Sequence, residues 1–267
     1  MPTNNTNSSN LKIVTLNIGR GFPGLDKSLS FLKSQPWDIA CLQDVRETHV
    51  PMIAKIFPGA QYFVPMSRHL IDGVRVPVGI GIFSRNLPFL TVSAHAYVGD
   101  VLPVHDLEGV EIGHDGASAP HDLEKVRATE SRLVIFAVVE VNGFRFRIGT
   151  THGVWVPEGK PDDHQRRCMK KFSSIVYNEY PSIIAGDLNA ARGGEIYDKI
   201  FSSARLHDCV PSEISNTVDW VNRGKSGPDL VVDYFLTSGL VYDVSSVEAH
   251  FGVSDHAALT AEVCIAD

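Results

Sequence analysis

The sequence predicts an α/β chain of the α+β kind: a layered sandwich of mostly antiparallel sheets with helices packed outside. Three observations predict it. Apolar runs of strand length alternate with segments of helical spacing. Asn142-Gly143 stands between two strand-like runs, a dipeptide that suits two-residue hairpins because both central positions need positive φ. No linker splits the chain, and 267 residues with 43% hydrophobic and 21% charged content can build a sizeable core.

The elements follow in order. "LKIVTLNIG" (11–19) has the run of a buried strand ending at Asn17. "LDKSLSFLKS" sets Leu25, Leu29 and Leu32 on one helical face, and Val50, Ile53, Ala54 and Phe57 repeat that spacing. Between them "WDIACLQD" (37–44) is apolar and ends in Gln43 and Asp44. "YFVP", "VGIGIFSR" and "PFLTVSAHAYV" are expected strands.

Residues 99–130 differ. They are acidic, hold three histidines and carry turn residues where periodicity should be, which predicts an insertion loop. A solvated acidic segment and a second metal site both fit that composition. Beyond it, "SRLVIFAVVEVNGFRFRIGTTHG" alternates Phe144, Phe146 and Ile148 with Arg145 and Arg147 and ends at His152. Pro161, Asp162 and Asp163 mark a helix start whose buried stripe is Cys168, Phe172, Ile175 and Val176. The strand "PSIIAGDLN" comes next, then a helix near 194–203 and strands at 230–236, 241–249 and 257–265.

Composition excludes several classes. The net charge is −7, which argues against a generally basic nucleic-acid binder and leaves room for a local basic groove. No window approaches the roughly 18 apolar residues of a membrane span. Residues 1–10, "MPTNNTNSSN", lack a basic region and an apolar core, so they are expected to be a disordered polar lead-in to a domain over 11–267. Cys41, Cys168, Cys209 and Cys264 form no CxxC pair, consistent with small thiols in a reducing, cytoplasmic setting. A monomer is the expected state.

One feature recurs: apolar strands that end in Asn, Asp or His. They lead to Asn17, Asp44, His152, Asp187 with Asn189, Asp233, and Asp255 with His256. A single such ending is a turn. Several in one chain can converge along a sheet edge, where oxygen donors suit a hard cation and a histidine beside an aspartate suits proton transfer or charge stabilisation.

The ordered set "TLNIG", "CLQD", "TTHG", "AGDLN", "VDYF" and "VSDH" resembles the endonuclease/exonuclease/phosphatase superfamily, the DNase I-like group. The resemblance runs over about residues 11–265. It implies a four-layer αββα sandwich whose two sheets open into a metal-bearing cleft, with Mg²⁺ or Mn²⁺ as cofactor. It also implies that Asp44 is a main metal ligand, aided by Asn17 and Asp255. Asp187 would orient or deprotonate the attacking water, and Asn189 would contact the phosphate. His256, oriented by Asp233, would stabilise the transition state or move a proton. His152 would meet the phosphate or leaving-group side, and Arg132 would lie near the cleft as a substrate contact. The implied activity is hydrolysis of phosphodiesters, or of phosphomonoesters, by direct water attack, with nucleic acid as the leading substrate. Inositol phosphates, phospholipids and a catalytically weakened scaffold are the alternatives.

Asp44 departs from the family's usual Glu, shortening the reach by about 1.5 Å, one carbon–carbon bond. Mg²⁺ wants oxygens at roughly 2.0–2.1 Å in octahedral order, so the change bears on which ion is held and how. Asp44-Val45-Arg46-Glu47 also has the form of a helix-capping box. Gln165 and Arg166 in "DDHQRR" fit either a family-like helix start or ordinary solvated helix polarity.

Overall fold

The computed structural model describes residues 10–19, 24–112, 118–120, 122–239 and 241–265. The lead-in expected over 1–10 lies, apart from Asn10, outside the described residues. Among the described residues fifteen strands form two sheets: β1 (Leu11–Asn17), β2 (Ile39–Arg46), β3 (Gln61–Ile71), β4 (Val74–Ser84), β5 (Thr91–Val98), β6 (His105–Asp106), β7 (Val110–Ile112), β8 (Ser118–Pro120), β9 (Arg132–Val141), β10 (Phe144–Thr151), β11 (Ser182–Asp187), β12 (Leu206–Asp208), β13 (Asp233–Ser238), β14 (Tyr242–His250) and β15 (Ala258–Ile265). The helices described with them are α1 (Leu25–Ser34), α2 (Val50–Ile56), α3 (Leu123–Thr129), α4 (Asp163–Asn178) and α5 (Glu195–Ala204).

One sheet runs β14-β15-β1-β2-β4-β3-β7-β8, with β6 pairing β3, and the other runs β12-β13-β11-β10-β9-β5. Most pairings are antiparallel. The parallel ones include β1 with β2 and β10 with β11. The expected hairpin is present, with Phe144 opposite Val141 and Asn142 at φ 52°.

Strand periodicity explains the layering. Ile13, Ile39, Ile80 and Ile82 of the first sheet meet Ile135, Phe146, Ile148, Ile183 and Phe235 of the second in a core between the sheets. The alternate residues point outward. Val14, Leu16, Ala40 and Leu42 pack against Leu32 of α1 and Ile53 of α2. Val134, Phe136, Ile184, Tyr234 and Leu236 pack against Phe172 of α4 and Ile200 of α5. Both faces of each central strand are therefore buried, which is why these segments are apolar runs rather than clean alternations. The result is the four-layer αββα arrangement.

Two expectations need correction. The strand placed over 230–236 begins only at Asp233. Residues 230–232 bond instead to loops: Leu188 N donates to Val232 O, Arg192 N to Val231 O, and Val232 N to Thr217 Oγ1. The segment 99–130 carries elements where a loop was expected. β6 and β7 run alongside β3, and α3 is capped by Asp122, whose carboxylate accepts from Lys125 N. Asp106 is paired with Arg68 and Arg75, so arginines offset part of this acidity. His114 and His121 lie outside the described residues. Among the described residues no helix is long and apolar enough to cross a membrane.

Candidate active site

Strand direction brings the polar strand ends together. β1, β2, β10 and β11 end at the same edge where the antiparallel β13 and β15 begin. Asn17, Asp44, His152 and Asp187 therefore arrive from C-terminal ends, whereas Asp233 opens β13 directly opposite Asp187. Reading Asp233 as the close of a strand was wrong in direction and right in place. His256 stands two residues before β15, held by an isolated bridge to Val218.

Asp187 is the hub. Its Oδ1 accepts from Asn189 N at 2.7 Å, and its Oδ2 accepts from Asn17 Nδ2 at 3.1 Å, joining the two sheets. His152 Nε2 is 3.5 Å from Asp187 Oδ2, and His256 Nε2 is 3.8 Å from it. Two close backbone approaches build this corner. A Cβ on Gly186 would lie 2.4 Å from Thr151 O, and one on Gly153 would lie 1.9 Å from Leu188 O. The glycines of "THG" and "GDLN" are thus demanded by strand and loop contact.

His152 is buried and lies between two carboxylates, its Nδ1 3.4 Å from Asp44 Oδ1. Among the described residues that Nδ1 has no hydrogen-bond partner. Asp44 itself sits at φ 54° in a register shift between Leu42 and Val45, a bulge that turns its side chain toward His152. It lies inside β2. The following 3-10 turn (Glu47–His49) has Arg46 at its N-cap position and no side-chain cap bond. The capping-box reading of Asp44 is thereby set aside.

His256 Nδ1 is 2.9 Å from Asp233 Oδ2, and the two side chains are 5% and 2% exposed. Burial lowers the basicity of the ring, but the Asp233 and Asp187 carboxylates outweigh it and push the pKa up to about 10. For Asp233, burial raises the carboxyl against the lowering effect of His256. Arg223 opposes a second proton on His256. Its Nη2 is 2.7 Å from Nε2, and a guanidinium only donates, so Nε2 is an acceptor in this arrangement. With Nε2 accepting from Arg223, the Nδ1 proton faces Asp233. The carboxylates favour a second proton on the ring, and the guanidinium opposes it.

Three expected site residues are engaged elsewhere. Asn189, at φ 49°, donates Nδ2 to Gly153 O. Asp255 contacts Ser254 Oγ at 3.2 Å and Arg223 Nε at 3.3 Å. Arg132 pairs with buried Glu130 at 3.1 Å, although the Asp44 carboxylate acts on it electrostatically. Gln165 and Arg166 divide. Gln165 is buried and donates to Val154 O and Asn189 O, while Arg166 pairs with Glu195 and Asp163 at the surface.

Sequence reasoning missed several supports. Tyr97 OH donates to His152 O. Gln43 Nε2 donates to Thr15 Oγ1 within its own sheet and to Thr150 Oγ1 across to the other. Thr217 Oγ1 accepts from Asp233 N. Arg223 lies in a loop with no periodicity. Only Gln43 carried a signal, as a polar residue inside an apolar strand.

One group of donors could hold a divalent cation, and it differs from the expected set of Asn17, Asp44 and Asp255. Asp187, Asp233 and His256 offer ligand atoms within 4.8 Å of one another, and all three are buried. Among the described residues neither Asp187 nor Asp233 has a Lys or Arg partner. Buried carboxylates without one draw in a cation or a proton.

The model of the endonuclease/exonuclease/phosphatase family matches residues 14–256, from β1 to the histidine of this site. The chain belongs to the endonuclease/exonuclease/phosphatase family. No curated protein matches it at a comparable level. Solved structures of similar fold include an endonuclease/exonuclease/phosphatase from Beutenbergia cavernae, with 16% identity, TM-score 0.68, and coverage of 97% of this chain and 72% of that one. The human Nocturnin catalytic domain with bound sulfate gives 17%, 0.67, 96% and 94%. Sphingomyelinase C from Streptomyces griseocarneus gives 15%, 0.60, 97% and 99%. At these identities the neighbours establish the fold, and the family match establishes membership.

Proposed function

We propose that residues 11–267 act as one divalent-metal-dependent phosphoesterase unit that hydrolyses phosphodiesters by direct attack of water, with a nucleic-acid backbone as the leading substrate. One observation carries the reading: the buried His256–Asp233 pair at 2.9 Å, set beside Asp187 and backed by His152 and Asp44. Phosphoryl transfer needs positioning and charge stabilisation more than covalent chemistry, and this cluster offers both.

Asp44, with Asn17 and Asp255, would hold Mg²⁺ or Mn²⁺. When bound, the ion would supply Lewis-acid stabilisation of charge on the phosphate oxygens. Asp187 would orient the attacking water and take its proton, its own geometry set by Asn17 and by the Asn189 backbone. His256 would stabilise developing charge through Nε2 when both ring nitrogens carry protons, with Asp233 holding the Nδ1 proton. His152 and Asn189 would face the phosphate, and Arg132 would tune the field at Asp44.

The neighbours support breadth in the choice of ester. Nocturnin's structure carries sulfate, a tetrahedral oxyanion of phosphate shape, and another neighbour is a sphingomyelinase. Three arginines of the basic stretches "RFRIG" and "QRRCMKK" are paired with acids: Arg145 with Glu140, Arg147 with Glu179, and Arg166 with Glu195 and Asp163.

The test is hydrolysis of bis-(p-nitrophenyl) phosphate with Mg²⁺ or Mn²⁺, with and without chelator. The same metal titration follows over abasic DNA, single strands, RNA, inositol phosphates and sphingomyelin. Metal-dependent turnover that disappears in Asp187→Ala and His256→Ala is expected. Activity no higher than in those variants would favour the scaffold alternative.

A further inference from the structure

Arg223 has no part in the chemistry above, yet it occupies the outward nitrogen of His256. Besides the 2.7 Å contact of Nη2 with Nε2, its Nε lies 3.3 Å from both the carbonyl oxygen and Oδ2 of Asp255. The loop is built to deliver it there. Asp219, itself buried, accepts from Asn222 N, Asn222 Nδ2 and Gly252 N, and its carbonyl accepts from Arg223 N. Asn222 Nδ2 also donates to Ser254 O, next to Asp255. Trp220 lies beside the guanidinium at 5.4 Å and is anchored through Nε1 to Pro228 O. Gly227 leaves the space its ring needs, since a Cβ there would lie 2.5 Å from it.

The backbone is thus pinned while the side chain keeps 30% of its surface exposed. While Arg223 holds Nε2, that nitrogen can neither donate to a substrate oxygen nor take a proton from one. What the guanidinium finds on Asp255 and His256 is negative charge and acceptor atoms in fork-like reach. A phosphate ester offers the same with better geometry, two free oxygens on one centre.

We propose that Arg223 is a substrate-binding residue that exchanges His256 and Asp255 for the phosphate oxyanion, so that the ester gains a clamp and, in the same movement, frees the histidine. The inference rests on the phosphoesterase reading of this site. The clamp needs two non-bridging phosphate oxygens, which phosphodiesters and phosphomonoesters both offer.

The test separates the two claims. Turnover of bis-(p-nitrophenyl) phosphate by the unaltered protein examines the phosphoesterase reading. Calorimetric binding of inorganic phosphate to the unaltered protein, Arg223→Ala and Arg223→Lys, with Mg²⁺ and with chelator, examines Arg223. Arg223→Ala is expected to weaken phosphate binding by about tenfold or more, with Arg223→Lys between, since a lysine keeps the charge and loses the fork. KM should rise more than kcat falls. Equal phosphate affinity in all three proteins, or no phosphate binding by the unaltered one, overturns the proposal. So does a phosphate-soaked crystal in which Arg223 still holds His256 Nε2. If turnover is present and phosphate ignores Arg223, the clamp alone is wrong. If phosphate binding depends on Arg223 and no ester is turned over, the phosphoesterase reading alone is wrong.

Discussion

The carboxylate of Asp233 lies 2.9 Å from Nδ1 of His256, with both side chains buried and the aspartate at the first residue of β13. An acceptor there keeps the ring proton on Nδ1 and leaves Nε2 pointing outward, whatever the substrate. Asp233→Asn preserves the shape but can present an amide donor to the same nitrogen and invert the tautomer. Turnover should fall by roughly two to four orders of magnitude with little change in thermal midpoint. A loss under tenfold at saturating substrate would show that the pair is only structural.

Asp44 reaches His152 from a bulge at positive φ. Asp44→Glu adds about 1.5 Å of reach toward the same space. The expected outcome is a changed half-saturation for Mg²⁺, or a changed ratio of Mg²⁺ to Mn²⁺ activity. Superimposable titrations of the two proteins would remove Asp44 from the metal site.

Glu130 is a buried acid that holds Arg132 at 3.1 Å and His164 at 3.0 Å. Those partners keep its carboxyl below the usual range despite burial, which acts in the opposite sense. Glu130→Ala leaves Arg132 buried without its counter-charge and should cost about 3–5 kcal/mol in urea denaturation. A cost below 1 kcal/mol, roughly the scale of a surface pair, would mean that water reaches the arginine. The same bond makes a deletion running through residue 130 a folding lesion as well as a change of loop.

His49 supplies a pH signature. Burial, and then the neighbouring Arg46, lower its pKa from 6.5 to about 4 in the folded chain. Between those values the unfolded chain takes up a proton that the folded chain refuses, so stability falls as pH drops through this window and is complete above it. Denaturation midpoints measured from pH 7 to 4 should decline more steeply in the parent than in His49→Gln. Parallel curves would show that the ring titrates normally.

Much of the fold was legible because both faces of the central strands are buried. "LKIVTLN", "IACLQ" and "SIIAGD" are apolar runs of strand length, and the stripes of α1 and α4 repeat at helical spacing. The candidate residues were legible for a related reason. A polar side chain that closes an apolar run has left the core, and strands sharing an edge deliver such side chains to one place.

What local pattern could not carry was direction and partnership. Asp233 opens its strand, Asp44 sits on a bulge, and Asn189 and Asp255 turn their side chains to Gly153 and Arg223. Hydrophobic periodicity records how a residue faces the core, so the amino-acid order alone determined the layers and the roster of polar strand ends. Contacts such as Asn17 with Asp187, 170 positions apart, or Arg223 with His256, 33 apart, depend on how sheets and loops meet in space. The tertiary structure alone decided those, because a hydrogen bond is set by the angle and distance between two atoms, and no single segment contains both.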